Sequence, residues 1–262
     1  ECGDCLLGVE ENKDILDIIK GFMRVHGIRP YDETTHKGLV RHALIRKGFH
    51  SGEIMVCLVI NGKDIPAKEQ LVEELCQVKG MTSISYSINQ EKTNVIMGKE
   101  IRCLWGQGYI TDYIGNVKYR ISPLSFYQVN PVQTKNLYEK AISLAGLTGN
   151  ERVMDAYCGI GTIGLIASRD AREVISVELN PDAVRDAVTN AKRNGIKNVS
   201  FYQNDAGAFM VSMAEKGEKA DVVFMDPPRA GSDEAFLSSV VTLSPKKVVY
   251  VSCNPETLAR DL

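Results

Sequence analysis

Residues 153–164 read VMDAYCGIGTIG, an apolar strand followed by a G-x-G-x-x-G turn that opens into the apolar start of a helix. Glycines permit a sharp turn and leave main-chain N–H groups open to a ligand. The next apolar segment, residues 173–177, ends in Glu178, which lies 19 residues beyond Gly159. Nucleotide-binding folds place a carboxylate at about this spacing, where it binds ribose hydroxyls. The strand, the turn and the acid together predict a nucleotide-like ligand.

Downstream of the turn, apolar strands alternate with helical segments, which is typical of a parallel, doubly wound sheet. Five strands are predicted, beginning at residues 153, 173, 199, 221 and 247. An acidic residue or Cys253 stands at the carboxyl end of each strand. Since those ends face the ligand crevice of such a sheet, these side chains are expected to converge there. Asp205, which follows the third strand, would suit the amino group of an adenine.

Two features favour S-adenosylmethionine (SAM) over a nicotinamide cofactor. Asp155 precedes the glycine turn, where its charge would repel a pyrophosphate. The fourth strand ends in DPPR, residues 226–229, with Asp226 and two prolines forming a rigid rim. This element resembles the substrate-side motif of class I SAM-dependent methyltransferases, in particular those that act on nucleobases.

Cys253 ends the fifth predicted strand, directly before a helix start and near an arginine in the sequence. A helix N-terminus and a nearby cation favour the nucleophilic thiolate, whereas the alternative is a buried structural cysteine. A thiolate suits one methylation target in particular, because its addition to C6 of uracil turns C5 into a nucleophilic carbon. Exocyclic amines need no such covalent step. A target within folded RNA would also have to leave its stack.

Composition limits the kinds of protein that this chain can be. With 31 Lys and Arg against 33 Asp and Glu, no global basic field indicates nucleic-acid binding, so an RNA contact must be local. Seven irregularly spaced cysteines fit a reducing cytoplasm better than a disulfide framework. No apolar run reaches membrane-spanning length. A cytoplasmic protein without a membrane segment, and a monomer, is expected.

The first half predicts a smaller α+β domain. An amphipathic helix is expected over residues 12–26 and another over 66–78, with strands that include 38–47, 53–60, 82–89 and 93–97. The strand at 38–47 carries a basic cluster, which is either a solvated strand face or an RNA-backbone patch; its members are Arg41, His42, Arg46 and Lys47. Gln128 lies just before a helix start at Asn130 and Pro131.

Four motifs together resemble the RNA uracil-5-methyltransferases, which form 5-methyluridine in tRNA and 23S rRNA. They are FYQVN at 126–130, DAYCGIG at 155–161, DPPRAG at 226–231 and SCNPETLARD at 252–261. The resemblance implies a SAM-dependent enzyme with Cys253 as the nucleophile that adds to uracil C6. It also implies four residues around SAM and the target base: Gln128, Tyr157, Glu178 and Asp226.

The resemblance extends to the iron–sulfur-containing 23S rRNA branch, because residues 4–7, DCLL, match the last ligand of its four-cysteine [4Fe-4S] cluster. Cys5 would be that ligand, with partners outside this chain, whereas Cys2 does not fit the pattern. This match favours 23S rRNA over tRNA. The upstream cluster cysteines and the N-terminal RNA-binding barrel of the family are therefore not expected within these 262 residues.

We therefore expect an α+β central domain at residues 1–124, with a remnant of the cluster region at 1–8. A SAM-binding domain is expected at 125–262, C-terminally truncated, with the final strands of the sheet missing. The glutamate general base of the family would lie beyond Leu262, so this chain is not expected to turn over.

Three other functions remain open on the sequence. A nucleobase amino-methyltransferase would use DPP but leave Cys253 without a role. A nicotinamide-dependent oxidoreductase shares the glycine turn. The chain could also be a non-catalytic RNA-binding fragment.

Overall fold

The chain forms two compact units, which the computed structural model describes over residues 8–262. The first unit extends to Tyr113 and includes residues 120–124, and the second comprises residues 114–119 and 125–262. A hairpin, β5 and β6, is divided between the units; its strands are Ile110–Ile114 and Val117–Ile121. No helix in the described part of the chain is long and apolar enough to cross a membrane.

The first unit is a four-stranded mixed sheet with two helices on one face. In chain order its elements are α1 (Asn12–Val25), β1 (Val40–Lys47), β2 (Ile54–Ile60), α2 (Lys68–Leu75), β3 (Met81–Ile88) and β4 (Glu100–Gly106). The strand order is β1-β2-β3-β4, in which only the central pair is parallel. Buried Ile15 and Phe22 of α1 and Leu71 of α2 share one core with alternate residues of the sheet. The predicted smaller α+β domain is confirmed.

One predicted strand is wrong. Residues 93–97 were expected to be extended because of their β-branched side chains, but the structure has no strand there and places β4 at Glu100–Gly106. Side chains hold the segment instead. Asn89 Nδ2 donates to the carbonyls of Val95 and Ile96 at 2.7 and 3.0 Å, and an Arg41 Nη donates to Glu91 O at 2.8 Å. Carbonyls bound in this way are not available for a strand ladder.

Three of the four side chains of the basic cluster on β1 bind groups of their own unit, so a solvated strand face does not describe them, and the RNA-backbone patch stays a prediction. The Arg41 side chain is only 2% exposed and lies over the Tyr31 ring, 4.4 Å from its centroid. Arg46 is half-buried; burial lowers its pKa, and a guanidinium nitrogen donates to the carbonyl of Ser122 at 3.4 Å. Lys47 pairs with Glu11 at 2.6 Å. These cations bind carbonyl and carboxylate groups of their own unit.

The second unit contains a five-stranded parallel sheet. Its elements are α3 (Pro131–Ala145), β7 (Arg152–Ala156), α4 (Thr162–Ala167), β8 (Glu173–Glu178), α5 (Pro181–Arg193), β9 (Val199–Gln203), α6 (Ala206–Glu215), β10 (Val222–Met225), α7 (Glu234–Leu243), β11 (Lys247–Tyr250) and α8 (Pro255–Asp261). The strand order is β11-β10-β7-β8-β9, so the chain reverses direction across the sheet between β7 and β10. This confirms the predicted doubly wound fold. The carboxyl ends of the strands meet along one edge, and ligands bind such sheets at the reversal point.

Candidate active site

The glycine turn after β7 has the backbone that its sequence predicts. Gly159 and Gly161 have φ angles of +56° and +83°, and Tyr157 also lies in the left-handed region, with φ +62°. A Cβ on Gly159 would meet nothing within 4 Å, so open space faces the turn. A Cβ on Gly164 would lie 2.7 Å from two side-chain oxygens, one on Asp155 and one on β8. The first glycine therefore leaves room for a ligand, and the last allows α4 to pack closely on the sheet.

Asp155 lies beneath this turn with only 1% of its surface exposed. Its Oδ2 accepts a hydrogen bond from the Gly164 N–H at 2.8 Å. Burial raises the pKa of Asp155 to about 7, and the nearby charges of Asp226 and Glu178 act in the same direction.

Glu178 at the end of β8 reaches the glycine turn directly. Its Oε2 accepts a hydrogen bond from the Gly159 N–H at 3.0 Å, and its Oε1 accepts one from the Asn180 N–H at 2.8 Å. The spacing of 19 residues thus brings acid and turn together, as the sequence predicts.

Tyr157 follows β7 and Asp205 follows β9, both at the carboxyl edge of the sheet. Asp205 is exposed and caps α6, where its Oδ1 accepts from the Ala208 N–H at 2.9 Å. The Tyr157 hydroxyl lies 3.1 Å from Ser232 Oγ, and its ring packs on Phe236 with centroids 5.5 Å apart. Burial raises the pKa of Tyr157, and the Asp205 charge raises it further.

Asp226 follows β10 and is half-buried. Burial raises its pKa to about 6, and within residues 8–262 its carboxylate has no hydrogen-bond or ion-pair partner. Gln128 and Asp226 both act on the pKa of Tyr138. Burial raises the pKa of that tyrosine, hydrogen bonds with Thr162 and Gln128 lower it, and the Asp226 charge raises it.

Cys253 is exposed in the bend between β11 and α8. The next residue, Asn254, caps α8 by accepting from the Glu256 N–H at 3.1 Å. Asn254 Nδ2 and Thr257 Oγ1 also donate to the carbonyl of Arg229, at 3.4 and 3.2 Å. The cysteine loop is thus bound to the DPPR turn. Exposure excludes the alternative of a buried structural cysteine.

Arg260, the arginine of the cysteine motif, binds Asp261 and the loop after DPPR and has no hydrogen bond to the Cys253 thiol within residues 8–262. Arg260 Nε and Nη2 donate to Asp261 Oδ1 at 2.8 and 2.6 Å, and Nη2 also donates to the Ala230 carbonyl at 2.8 Å. The sequence motif contains both Arg260 and Asp261, but its spacing does not reveal that they fasten the DPPR loop. This is the part of the site that sequence reasoning missed.

The iron–sulfur prediction is not addressed by the structure, because Cys5 lies outside the described residues. Within residues 8–262, no three or more His, Cys, Asp or Glu side chains are grouped so that they could hold a metal ion.

The sequence of this chain is similar to a known protein family and to curated relatives. A family model described as tRNA (uracil-5-)-methyltransferase matches residues 91–262. An uncharacterized RNA methyltransferase of Halalkalibacterium halodurans is 47% identical over 260 residues, covering 99% of this chain and 57% of the relative. A second, from Clostridium tetani, is 45% identical over 98% of this chain and 56% of the relative. The chain therefore spans a little over half the length of these curated relatives.

Among solved structures, the Pyrococcus abyssi tRNA (uracil-54, C5)-methyltransferase, in complex with S-adenosyl-L-homocysteine, has a TM-score of 0.80. It is 29% identical in sequence, and the match covers 96% of this chain and 60% of that chain.

Proposed function

Because this chain belongs to the tRNA (uracil-5-)-methyltransferase family, we propose that it carries the catalytic site of a SAM-dependent enzyme that methylates C5 of uridine in RNA. One observation carries the proposal. Cys253 is exposed at the carboxyl edge of the sheet, on a loop hydrogen-bonded to the DPPR turn. In that position, a thiol can meet a base that enters the crevice beside Asp226.

The residues around the glycine turn fit SAM. The open space at Gly159 would admit the nucleoside, and Glu178 would bind the ribose hydroxyls. The carboxylate of Asp205 can accept a hydrogen bond from the adenine amino group through the oxygen that does not cap α6. Tyr157 and Gln128 complete the proposed surroundings of SAM and the target base. When bound, SAM supplies an electrophilic methyl group that the activated C5 accepts.

The same carboxylates disfavour a nicotinamide dinucleotide. Asp155, Glu178 and Asp226 are close enough that the charges of the last two raise the pKa of the first. A pyrophosphate placed among them would be repelled, whereas the sulfonium and ammonium groups of SAM would be attracted. An oxidoreductase would also leave Cys253 without a role, as would amino-group methylation.

The covalent steps use the thiol of Cys253, the uracil ring, the methyl group that SAM would supply and a general base for the C5 proton. Cys253 attacks as a thiolate, and a bond forms between Sγ and C6 while the C5–C6 π electrons move to C5 and O4. C5 would then be nucleophilic and could take the methyl group of bound SAM, whose methyl–sulfur bond breaks and leaves S-adenosylhomocysteine. Transfer of the C5 proton to a general base returns an electron pair to the C5–C6 bond, the Sγ–C6 bond breaks, and the thiolate of Cys253 is regenerated. We propose that Asp226, whose carboxylate has no hydrogen-bond or ion-pair partner among residues 8–262, hydrogen-bonds the base during these steps.

We further propose that the RNA is 23S rRNA, since the match of residues 4–7 to the cluster-containing branch favours it. The test is incubation of the chain with SAM and RNA that carries 5-fluorouridine, followed by denaturing electrophoresis. Because fluorine at C5 cannot leave as a proton, the protein–RNA adduct should accumulate. A 23S rRNA segment should be captured in preference to tRNA, and Cys253→Ala should capture neither. Capture of tRNA alone would contradict the rRNA proposal, and capture that survives in the alanine variant would contradict the mechanism.

A further inference from the structure

The carboxylate of Asp261, in α8, is completely buried and accepts four hydrogen bonds. Its Oδ2 accepts from the Ser232 N–H at 2.9 Å and from the Tyr250 hydroxyl at 2.7 Å. Its Oδ1 accepts from Arg260 Nε and Nη2 at 2.8 and 2.6 Å. One carboxylate therefore joins the end of β11, helix α8 and the loop that follows DPPR.

The loop itself is shaped around this carboxylate. Gly231 has φ +77°, and a Cβ there would lie 2.5 Å from both Asp261 Oδ2 and Arg260 Nη2. Arg260 Nη2 also donates to the carbonyls of Ala230 and Ser232, at 2.8 and 3.3 Å. Because glycine alone allows this close approach, loop and carboxylate can pack in direct contact.

The contact extends to the SAM side of the proposed site. Ser232, whose amide binds Asp261, has its Oγ 3.1 Å from the Tyr157 hydroxyl. Tyr157 begins the turn that contains Gly159. The network therefore runs from the glycine turn, through the loop after DPPR, to the helix that follows Cys253.

Cys253 and Asp226 both lie on segments that Asp261 holds. Cys253 stands between Tyr250 and Asp261 in sequence, and those two residues are joined by a hydrogen bond of 2.7 Å. Asp226 leads into the loop that ends at Ser232, the third segment bound by the carboxylate. Displacing Asp261 would therefore loosen the nucleophile loop and the loop of the proposed base-binding residue together.

We propose that Asp261 is a positioning residue, which fixes the Cys253 loop against the Asp226–Ser232 loop so that the thiolate meets C6 of the bound uracil. The proposal rests on the function proposed above. Asp261 itself touches neither SAM nor the base in this role, and it acts through the two loops that it joins.

The test compares the wild-type chain with Asp261→Asn. The amide offers one acceptor oxygen in place of two, so its NH2 group must face either the Arg260 guanidinium or the Ser232 N–H. With 5-fluorouridine RNA and SAM at saturation, the rate constant of adduct formation should fall roughly ten- to a hundredfold, the loss that a misplaced reacting group produces. SAM affinity should fall by a smaller factor than the adduct rate, because Asp261 reaches Tyr157 only through Ser232 but binds Tyr250 and the Ser232 amide directly.

Two further variants make the comparison specific. Asp170→Asn removes the same charge from an exposed side chain of the same unit, and it should leave the adduct rate unchanged. Tyr250→Phe removes one donor but leaves the Arg260–Asp261 pair, so its loss of adduct rate should be intermediate.

Hydrogen exchange provides a readout that is independent of chemistry. In Asp261→Asn, residues 229–232 and 251–257 should lose protection while β7 keeps it.

The outcomes separate this inference from the function on which it rests. An Asp261→Asn chain that forms the adduct at the wild-type rate overturns the positioning role and leaves the proposed function intact. The positioning role is also overturned if Asp261→Asn loses hydrogen-exchange protection of β7 and SAM binding to the same extent as its rate of adduct formation, because that pattern describes general unfolding. If the wild-type chain forms no adduct with any RNA tested, the proposed function fails, and with it the catalytic consequence assigned to Asp261.

Discussion

The buried carboxyl of Asp155 makes a quantitative prediction about stability and pH. Its pKa is about 7 in the folded chain, against an ordinary value of 3.8. At any pH between these two pKa values, Asp155 holds a proton in the folded chain and has released it in the unfolded chain. The free energy of unfolding therefore falls as pH rises from about 4 to about 7. Above pH 7 the full loss of stability from this group is reached. Integration of the linkage relation from pH 5 to pH 8 gives a loss of about 2–3 kcal/mol from this one group.

Replacement of Asp155 by Asn isolates that contribution. The amide oxygen can still accept the Gly164 N–H, and the NH2 group resembles the protonated acid in shape and in its donor. Other groups titrate equally in both chains, so the difference in pH dependence belongs to Asp155 and to its coupling with its neighbours. The free energy of unfolding of the variant, minus that of the wild-type chain, should be about 2–3 kcal/mol larger at pH 8 than at pH 5.

The assay is unfolding in urea at pH 5 and pH 8, followed by hydrogen exchange of a peptide that covers β7. This peptide reports the free energy of the second unit, whereas a whole-chain probe would mix two units that need not unfold together. Equal pH dependence in the two chains would refute the reasoning. It would mean that Asp155 is ionised in the folded chain throughout this pH range.

Three further changes test other parts of the structure. Gly164→Ala should lower the free energy of unfolding in urea by about 1–3 kcal/mol, because the added Cβ would lie 2.7 Å from two oxygens. Gly21 is a matched control, since it lies within helix α1 and has open space where a Cβ would be. Gly21→Ala should instead raise the free energy of unfolding by about 0.5–1 kcal/mol. Glu178→Gln should weaken SAM binding in calorimetry by about ten- to a hundredfold, whereas the exposed Glu215→Gln should not; equal affinities would contradict the ribose assignment. Arg41→Lys should speed hydrogen exchange in the loop that Arg41 holds. The single nitrogen of lysine, on a stem one atom shorter, cannot reach the three carbonyls that the two guanidinium nitrogens span. Unchanged exchange would show that the loop is held by other contacts.

Much of the second unit is predictable from sequence because each signal there is local. The G-x-G-x-x-G turn follows an apolar strand directly, and the spacing from Gly159 to Glu178 corresponds to one helix and one strand. Alternating strand and helix then leave one common topology, which the observed strand order confirms. In such a fold, strand ends share an edge, so side chains distant in sequence can be predicted to converge.

The first unit shows where that reasoning fails. Residues 93–97 have the composition of a strand, but hydrogen bonds take up the carbonyls of the segment, from Asn89, which is close in sequence, and from Arg41, which is 52 residues from Thr93. An arginine on a strand is usually solvated, so the sequence does not predict that Arg41 is buried. Only the folded structure shows that Arg41 binds this segment.

Asp261 is a related case within the candidate site. The sequence motif includes it, but a carboxylate two residues after Ala259 on a predicted helix has no visible partner. Its three partner segments come together only through the sheet order, which places β11 beside β10 and so brings Tyr250 near the loop of Ser232. Positioning residues of this kind require the structure.

The measurement that tests the central claim most directly is tandem mass spectrometry of the trapped adduct. The chain is incubated with SAM and 5-fluorouridine RNA, the RNA is trimmed with nuclease, and the protein is digested. The modification should be a methylated fluorouridine nucleotide on the peptide that contains Cys253, and Cys253→Ala should carry none. A nucleotide on any other cysteine, or an unmodified Cys253 peptide in a chain that does methylate uridine at C5, would contradict the assignment of Cys253 as the nucleophile.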